Sequence, residues 1–128
     1  MTSLLFVSDH GEVLPTATCH NQGHGIGSRQ TFEVPAFFWY STSFADQYPE
    51  KIVALEANAP QRTLTASVFQ SILDVTNVVL PEQDDSWSLF SPDWRFRTRN
   101  VTNFWKVDFD EVEFSGGCEI AIPGTGGQ

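Results

Sequence analysis

The sequence predicts an α/β fold on a mostly parallel sheet, from two apolar runs and the helical signals that follow them. Ser3-Leu4-Leu5-Phe6-Val7-Ser8 is apolar on both faces, the pattern of a central parallel strand buried between helices. A strand of that kind needs neighbours on both sides, so a chain opening on one is expected to be part of a larger domain. Gly11 to Gln30 is rich in Gly, Thr, Pro, Asn, Gln and His without periodicity and reads as a long loop, a class that is usually functional or disordered. Phe32 to Tyr40 (FEVPAFFWY) is a second strand, with Pro35 at its edge or start. Pro49-Glu50 opens a helix that Asn58-Ala59-Pro60 ends, with Ile52, Val53 and Leu55 inward. Thr65 is a suitable N-cap for a second helix, in which Val68, Phe69, Ile72, Leu73 and Val75 recur at helical steps until Asn77. Pro81 to Pro92 is polar and turn-rich, and Trp94 to Phe114 alternates enough for one or two peripheral strands. The expected organisation is one domain portion over residues 1–114 and a loose, Gly-rich tail over 115–128. The aromatics Phe37, Phe38, Trp39 and Phe69 are expected in the core.

With 128 residues and 41% apolar content, the chain has the composition of a globular domain rather than of a disordered one. Seven Lys+Arg against 16 Asp+Glu leave a net charge of -9, which repels a phosphate backbone and excludes nucleic acid as an expected partner. The longest apolar stretch, Val34 to Tyr40, is far short of the roughly 20 residues of a membrane-spanning helix. A secretory signal is also absent from the reading, because no basic residue precedes Arg29. Cys19 and Cys118 fit no CxxC spacing and are either a disulfide or two free thiols.

All three histidines, His10, His20 and His24, fall in one short segment, and Asp9 precedes the first. Asp9-His10 stands at the expected carboxyl end of the first strand, where α/β proteins build their sites. A carboxylate oxygen beside an imidazole nitrogen is an ordinary zinc donor pair, although a catalytic zinc takes about three protein ligands. The H-x3-H spacing of His20 and His24 would align both on a helix, but Asn21, Gln22, Gly23 and Gly25 make a helix there improbable. Gly23-His24-Gly25 instead presents a histidine on permissive backbone, suited to an anionic ligand. Arg95, Arg97 and Arg99 would line one face of a strand, most simply as a solvated edge. Asp108, Asp110, Glu111 and Glu113 lack the pattern of a calcium loop and read as a solvated acidic stretch. No G-x-S-x-G or other nucleophile signature occurs.

Leu5-Phe6-Val7-Ser8-Asp9-His10-Gly11-Glu12 resembles the SDHGE signature of the alkaline phosphatase/sulfatase superfamily, in particular its bacterial phosphoethanolamine transferases. Gly23-His24-Gly25, Phe32 to Trp39, Tyr48-Pro49-Glu50-Lys51 and Thr65 to Val75 follow in the same order as in that family's C-terminal part, so the resemblance spans roughly residues 3 to 100. It implies part of an alkaline phosphatase-like three-layer sandwich with a mostly parallel sheet, in an inner-membrane protein whose catalytic domain faces the periplasm. It further implies Zn²⁺ held by Asp9 and His10, His24 at the phosphoryl group or a second metal, and His20 as a possible further site residue.

The implied reaction moves phosphoethanolamine from phosphatidylethanolamine to an envelope acceptor, namely lipid A, a core sugar or a periplasmic glucan. The family's nucleophilic threonine, a metal-binding glutamate and its membrane helices all precede the SDHG strand. The chain is therefore expected to be a C-terminal portion, inactive alone, that would touch the membrane only through those helices. None of Thr16, Thr18 or Thr31 matches the nucleophile, and the periplasmic disulfides of the family leave room for a partner of Cys19 elsewhere. The alternatives are a sulfatase or phosphodiesterase-type hydrolase of the same superfamily, and a non-catalytic metal-binding remnant.

Overall fold

The computed structural model describes residues 1–24, 27–101 and 107–122. They form a mixed α/β structure whose sheets are small and antiparallel. Two compact units divide the chain: Met1–Leu5 with Phe38–Arg97, and Phe6–Phe37 with Thr98–Gln128.

Strand β1 (Ser3–Val7) forms a two-stranded sheet with β2 (Ala36–Tyr40). In the first unit the Ser41 amide donates to the Thr2 carbonyl at 3.0 Å, and in the second the Ser8 amide donates to Pro35 at 3.1 Å, which fixes an antiparallel register. This departs from the buried parallel strand expected for the opening run. Leu4 is 54% exposed and Trp39 53%, while Leu5 and Phe38 on the other face are half-buried. Among the described residues each of these strands has a single partner, so the two-residue alternation leaves one face in solvent. Phe37 is exposed too and stacks on Phe6, with ring centroids 5.1 Å apart.

In the first unit, Ser41 caps helix α2 (Thr42–Gln47) by accepting the Phe44 amide at 3.3 Å. Helix α3 (Pro49–Asn58) begins with proline at its first position and Glu50 in its first turn, as its sequence predicts. It buries Ile52 and Ala54, whereas Val53 faces solvent. Helix α4 (Ser67–Val75) starts after Ala66, without a side-chain cap, so Thr65 is not the N-cap expected of it. Its inward residues are Ser67, Ser71 and Leu73, and Phe69 and Ile72 are exposed. The reason is backbone satisfaction: Ser71 Oγ accepts the Leu89 amide at 3.0 Å, and Asn58 Nδ2 donates to the Leu89 and Ser91 carbonyls. That turn-rich segment carries a 3-10 turn, Asp85–Trp87, and buries Phe90 edge-on to Phe38 at 4.8 Å. Of the four aromatics expected in the core, only Phe38 is partly buried.

In the second unit the long loop ends in a single helical turn, α1 (Arg29–Phe32), capped by Ser28, where the sequence predicts the end of the loop and, at Phe32, the first residue of a strand. Strands β3 (Asn100–Val101) and β4 (Val107–Asp108) pair antiparallel, and β5 (Phe114–Ser115) and β6 (Ile120–Ala121) form a second hairpin-like pair. Residues 27–29 extend the second hairpin, since Arg29 N donates to Glu119 O and Ala121 N to Gly27 O, both at 3.0 Å. Phe109, Val112 and Ala121 are buried there, and the Arg29 guanidinium lies 4.5 Å over the Phe114 ring.

Cys19 and Cys118 are joined by a disulfide, with Cα atoms 4.7 Å apart, which decides between the two states their spacing left open. Neither cysteine needs a partner elsewhere. Gly117 permits this approach, because a Cβ there would stand 2.0 Å from the Thr18 carbonyl oxygen. The first part of the tail expected to be loose is thus a cross-linked hairpin, and residues 123–128 lie outside the described residues. Among the described residues no helix is long and apolar enough to cross a membrane.

Candidate metal centre

The site lies in the second unit, just beyond the end of β1. Ser8 Oγ donates to the His10 carbonyl at 2.8 Å, and Asp9 Oδ1 accepts the His10 amide at 3.0 Å, so side chains turn the strand into the loop. Gly11 then passes against α1. Its amide donates to Thr31 O at 3.1 Å, and a Cβ on it would fall 1.9 Å from the Gln30 carbonyl oxygen. The glycine of the Asp-His-Gly sequence is therefore required by close packing.

His10 Nδ1 lies 2.9 Å from the Gly11 carbonyl oxygen. A carbonyl only accepts, so Nδ1 carries the proton and Nε2 is left with a free lone pair in the neutral ring. Asp9 Oδ2 stands 3.9 Å from that Nε2, and the Asp9 side chain is 90% exposed.

Two further side chains reach His10 through the loop. Val13 and Gly23 exchange both backbone hydrogen bonds, at 3.1 and 3.2 Å, as an isolated antiparallel bridge. The register makes residues 12 and 24 the next cross-strand pair, and Gly23 turns the chain into it with φ +106°, a conformation that favours glycine. Glu12 and His24 consequently face one another, with Oε2 and Nδ1 3.4 Å apart. The His24 ring lies 4.1 Å from that of His10, tilted by 31°. One donor atom each from His10, Glu12 and His24 falls within 4.8 Å of the other two.

The three residues brought together are thus His10, His24 and Glu12. Asp9 is not in this group, and His20 is exposed and apart from it. Glu12 was visible as the last letter of the SDHGE segment, but only the bridge to Gly23 places it on His24. Gly25 lies outside the described residues. Two imidazole nitrogens and a carboxylate oxygen are a donor set for a borderline divalent ion such as zinc, so the chemistry of the residues present fits the metal the resemblance implies.

The other charged groups singled out in the sequence are engaged elsewhere. Arg97 lies over the Trp87 ring at 4.1 Å and donates to Ser86 Oγ at 2.7 Å, and Arg99 pairs with Asp110 through two nitrogens. Neither belongs to a strand, so the expected arginine stripe does not form. Comparisons with protein-family models, curated proteins and solved structures return no match for this chain.

Proposed function

We propose that the chain supplies the metal- and phosphoryl-binding part of a zinc-dependent phosphoethanolamine transferase, as the C-terminal portion of an alkaline phosphatase-like sandwich. The observation that carries this reading is the convergence of His10 and His24, distant in sequence, on the end of the Ser8-Asp9-His10-Gly11 segment. Asp9 and His10 would hold the metal. The Gly11 carbonyl fixes the His10 ring so that Nε2 is the free donor. His24, beside it and well exposed, would donate a hydrogen bond to a phosphoryl oxygen. When bound, zinc would neutralise the charge that develops on phosphoryl oxygens and lower the pKa of a hydroxyl nucleophile. That nucleophile and the remaining ligands stand upstream of this segment in the family, so the chain alone is expected to bind without turnover.

The donor is phosphatidylethanolamine and the acceptor an envelope glycolipid or glycan, met at the periplasmic face of the inner membrane. The Cys19–Cys118 disulfide supports an oxidising compartment of that kind.

The test is the ³¹P signal of phosphoethanolamine titrated with the zinc-loaded chain. It should broaden or shift with wild type and stay at its free position with His24→Ala and with the Asp9→Ala/His10→Ala double variant. A phosphorus signal that never responds to the zinc-loaded wild-type chain would sink the proposal.

A further inference from the structure

The hydrogen bond between Glu12 and His24 is a long one. A charge-assisted N–H···O contact closes to about 2.7–2.9 Å, whereas Glu12 Oε2 and His24 Nδ1 stand 3.4 Å apart with both side chains free to move in solvent. The distance also suits a shared ion. With metal–nitrogen and metal–oxygen bonds of about 2.0–2.2 Å, the edge of a tetrahedral coordination shell is about 3.4 Å. Asp9 Oδ2 and His10 Nε2 stand 3.9 Å apart, also within reach of one ion after side-chain rotation.

We infer that His10, Glu12 and His24 form a three-ligand site for a divalent transition metal, at which Asp9 is a further and weaker ligand. His10 contributes Nε2, because Nδ1 is tied to the Gly11 carbonyl. Glu12 and His24 contribute an edge already at coordination length, held by the paired hydrogen bonds between Val13 and Gly23. All three donors already lie within 4.8 Å of one another, so closing the shell needs only side-chain rotation on exposed residues. Two imidazoles in three ligands select zinc, cobalt or nickel over magnesium or calcium, which take oxygen shells. The open side toward solvent leaves a fourth position for water or an anionic oxygen.

The loop carrying Glu12 and His24 is closed at its far end by buried Cys19, which is bonded to Cys118. Binding is therefore tied to the disulfide: without it, ordering Leu14 to Gln22 would oppose metal capture. The site shares His10 and His24 with the transferase reading but does not rest on it.

The experiment is calorimetric titration of the chelator-stripped chain with Zn²⁺, and absorbance with Co²⁺ to report coordination number, on wild type and single variants. Wild type should take one Zn²⁺ per chain at micromolar affinity. Glu12→Gln and His24→Ala should each weaken it at least about tenfold, and Asp9→Asn should weaken it less than either. Both Glu12 and His24 are exposed, so circular dichroism should show an unaltered fold. The Cys19→Ser/Cys118→Ser variant should bind several-fold more weakly. Loss of binding in Asp9→Asn with Glu12→Gln unaffected would overturn the inference while leaving the Asp9–His10 half-site standing. A wild-type chain that takes up no zinc at millimolar concentration would overturn it as well, whereas a chain that binds zinc as expected and leaves the phosphorus signal unmoved would sink the transferase reading alone.

Discussion

Gly11→Ala tests whether packing against α1 is what holds the metal-binding segment in place. The added Cβ would stand 1.9 Å from the Gln30 carbonyl oxygen and 2.9 Å from that of Glu33. Both obstacles are backbone atoms, so no side chain can swing away. Restoring an ordinary contact of about 3.4 Å requires the loop and the helical turn to separate by about 1.5 Å, a displacement of the overpacking kind that costs about 1–3 kcal/mol. It also breaks the 3.1 Å bond from the Gly11 amide to Thr31, worth about 1 kcal/mol. The sum, about 2–4 kcal/mol, corresponds to a fall in melting temperature of roughly 6–15 °C for a chain of this size.

His10 precedes Gly11 directly and bonds its carbonyl, so the same displacement should weaken zinc binding at least about tenfold. Thermal melting by circular dichroism and zinc calorimetry read the two effects. A Gly11→Ala protein that melts within about 2 °C of wild type and keeps its zinc affinity would refute the argument that this glycine is a steric requirement of the site.

Two further predictions concern the first unit. Lys51 Nζ donates to Asp74 Oδ1 at 2.8 Å, to Asn77 Oδ1 at 3.0 Å and to the Asp74 carbonyl, with the Lys51 and Asp74 side chains only 12% and 16% exposed. Lys51→Met leaves that carboxylate supported by little beyond Ser88 Oγ at 2.6 Å, and should lower the urea unfolding free energy by about 3 kcal/mol at unchanged m-value. A loss under about 1 kcal/mol would mean the pair is better solvated than its exposure indicates. Asp84 is held below its ordinary pKa, chiefly by the hydroxyl and then the amide of Ser86, with Arg97 and Arg95 adding attraction. A depressed carboxylate stabilises the fold above its unfolded pKa, near 3.9, and the contribution disappears as pH falls through the lower folded value. Asp84→Asn should therefore lose stability at pH 6 and converge on wild type near pH 2, as read by denaturant melts at both values; a constant offset between the two proteins would contradict the assignment.

The parts of this fold legible in the sequence are those set by local chemistry. Pro49-Glu50 opens α3 where proline costs no hydrogen bond, and the apolar runs of β1 and β2 do form strands. What the sequence did not disclose is which face each element turns inward. Helix α4 hides serines and exposes Phe69 because its neighbour is a turn-rich segment in need of hydrogen-bond partners, and periodicity counts apolar residues without seeing such needs. The single turn of α1 and the two-residue strands after Asn100 are shorter than any window in which a period can be read. The two cysteines, 99 positions apart, carried no spacing signal at all. At the site, His10 and His24 were legible as chemistry, while their meeting depended on a two-residue bridge.

That bridge bears on which carboxylate accompanies His10. In extended backbone, neighbouring side chains point to opposite sides, and residues two apart share one. Asp9 next to His10 is thus a favourable pair in sequence and an awkward one in space, reaching Nε2 only to 3.9 Å while its side chain stands in water. Glu12 lies two positions beyond His10 and directly across the bridge from His24, so backbone geometry brings it toward both imidazoles. An exposed aspartate pays little entropy to rotate toward an ion that other groups already hold, whereas a glutamate paired with one histidine and two positions from the other helps determine whether an ion is held at all. The prediction that separates these roles is an asymmetry in zinc concentration. At saturating zinc, Asp9→Asn and Glu12→Gln should look alike in any measure of metal content, and as zinc is lowered toward the micromolar range Glu12→Gln should fall empty first. Equal loss at every concentration would place both carboxylates on the ion together.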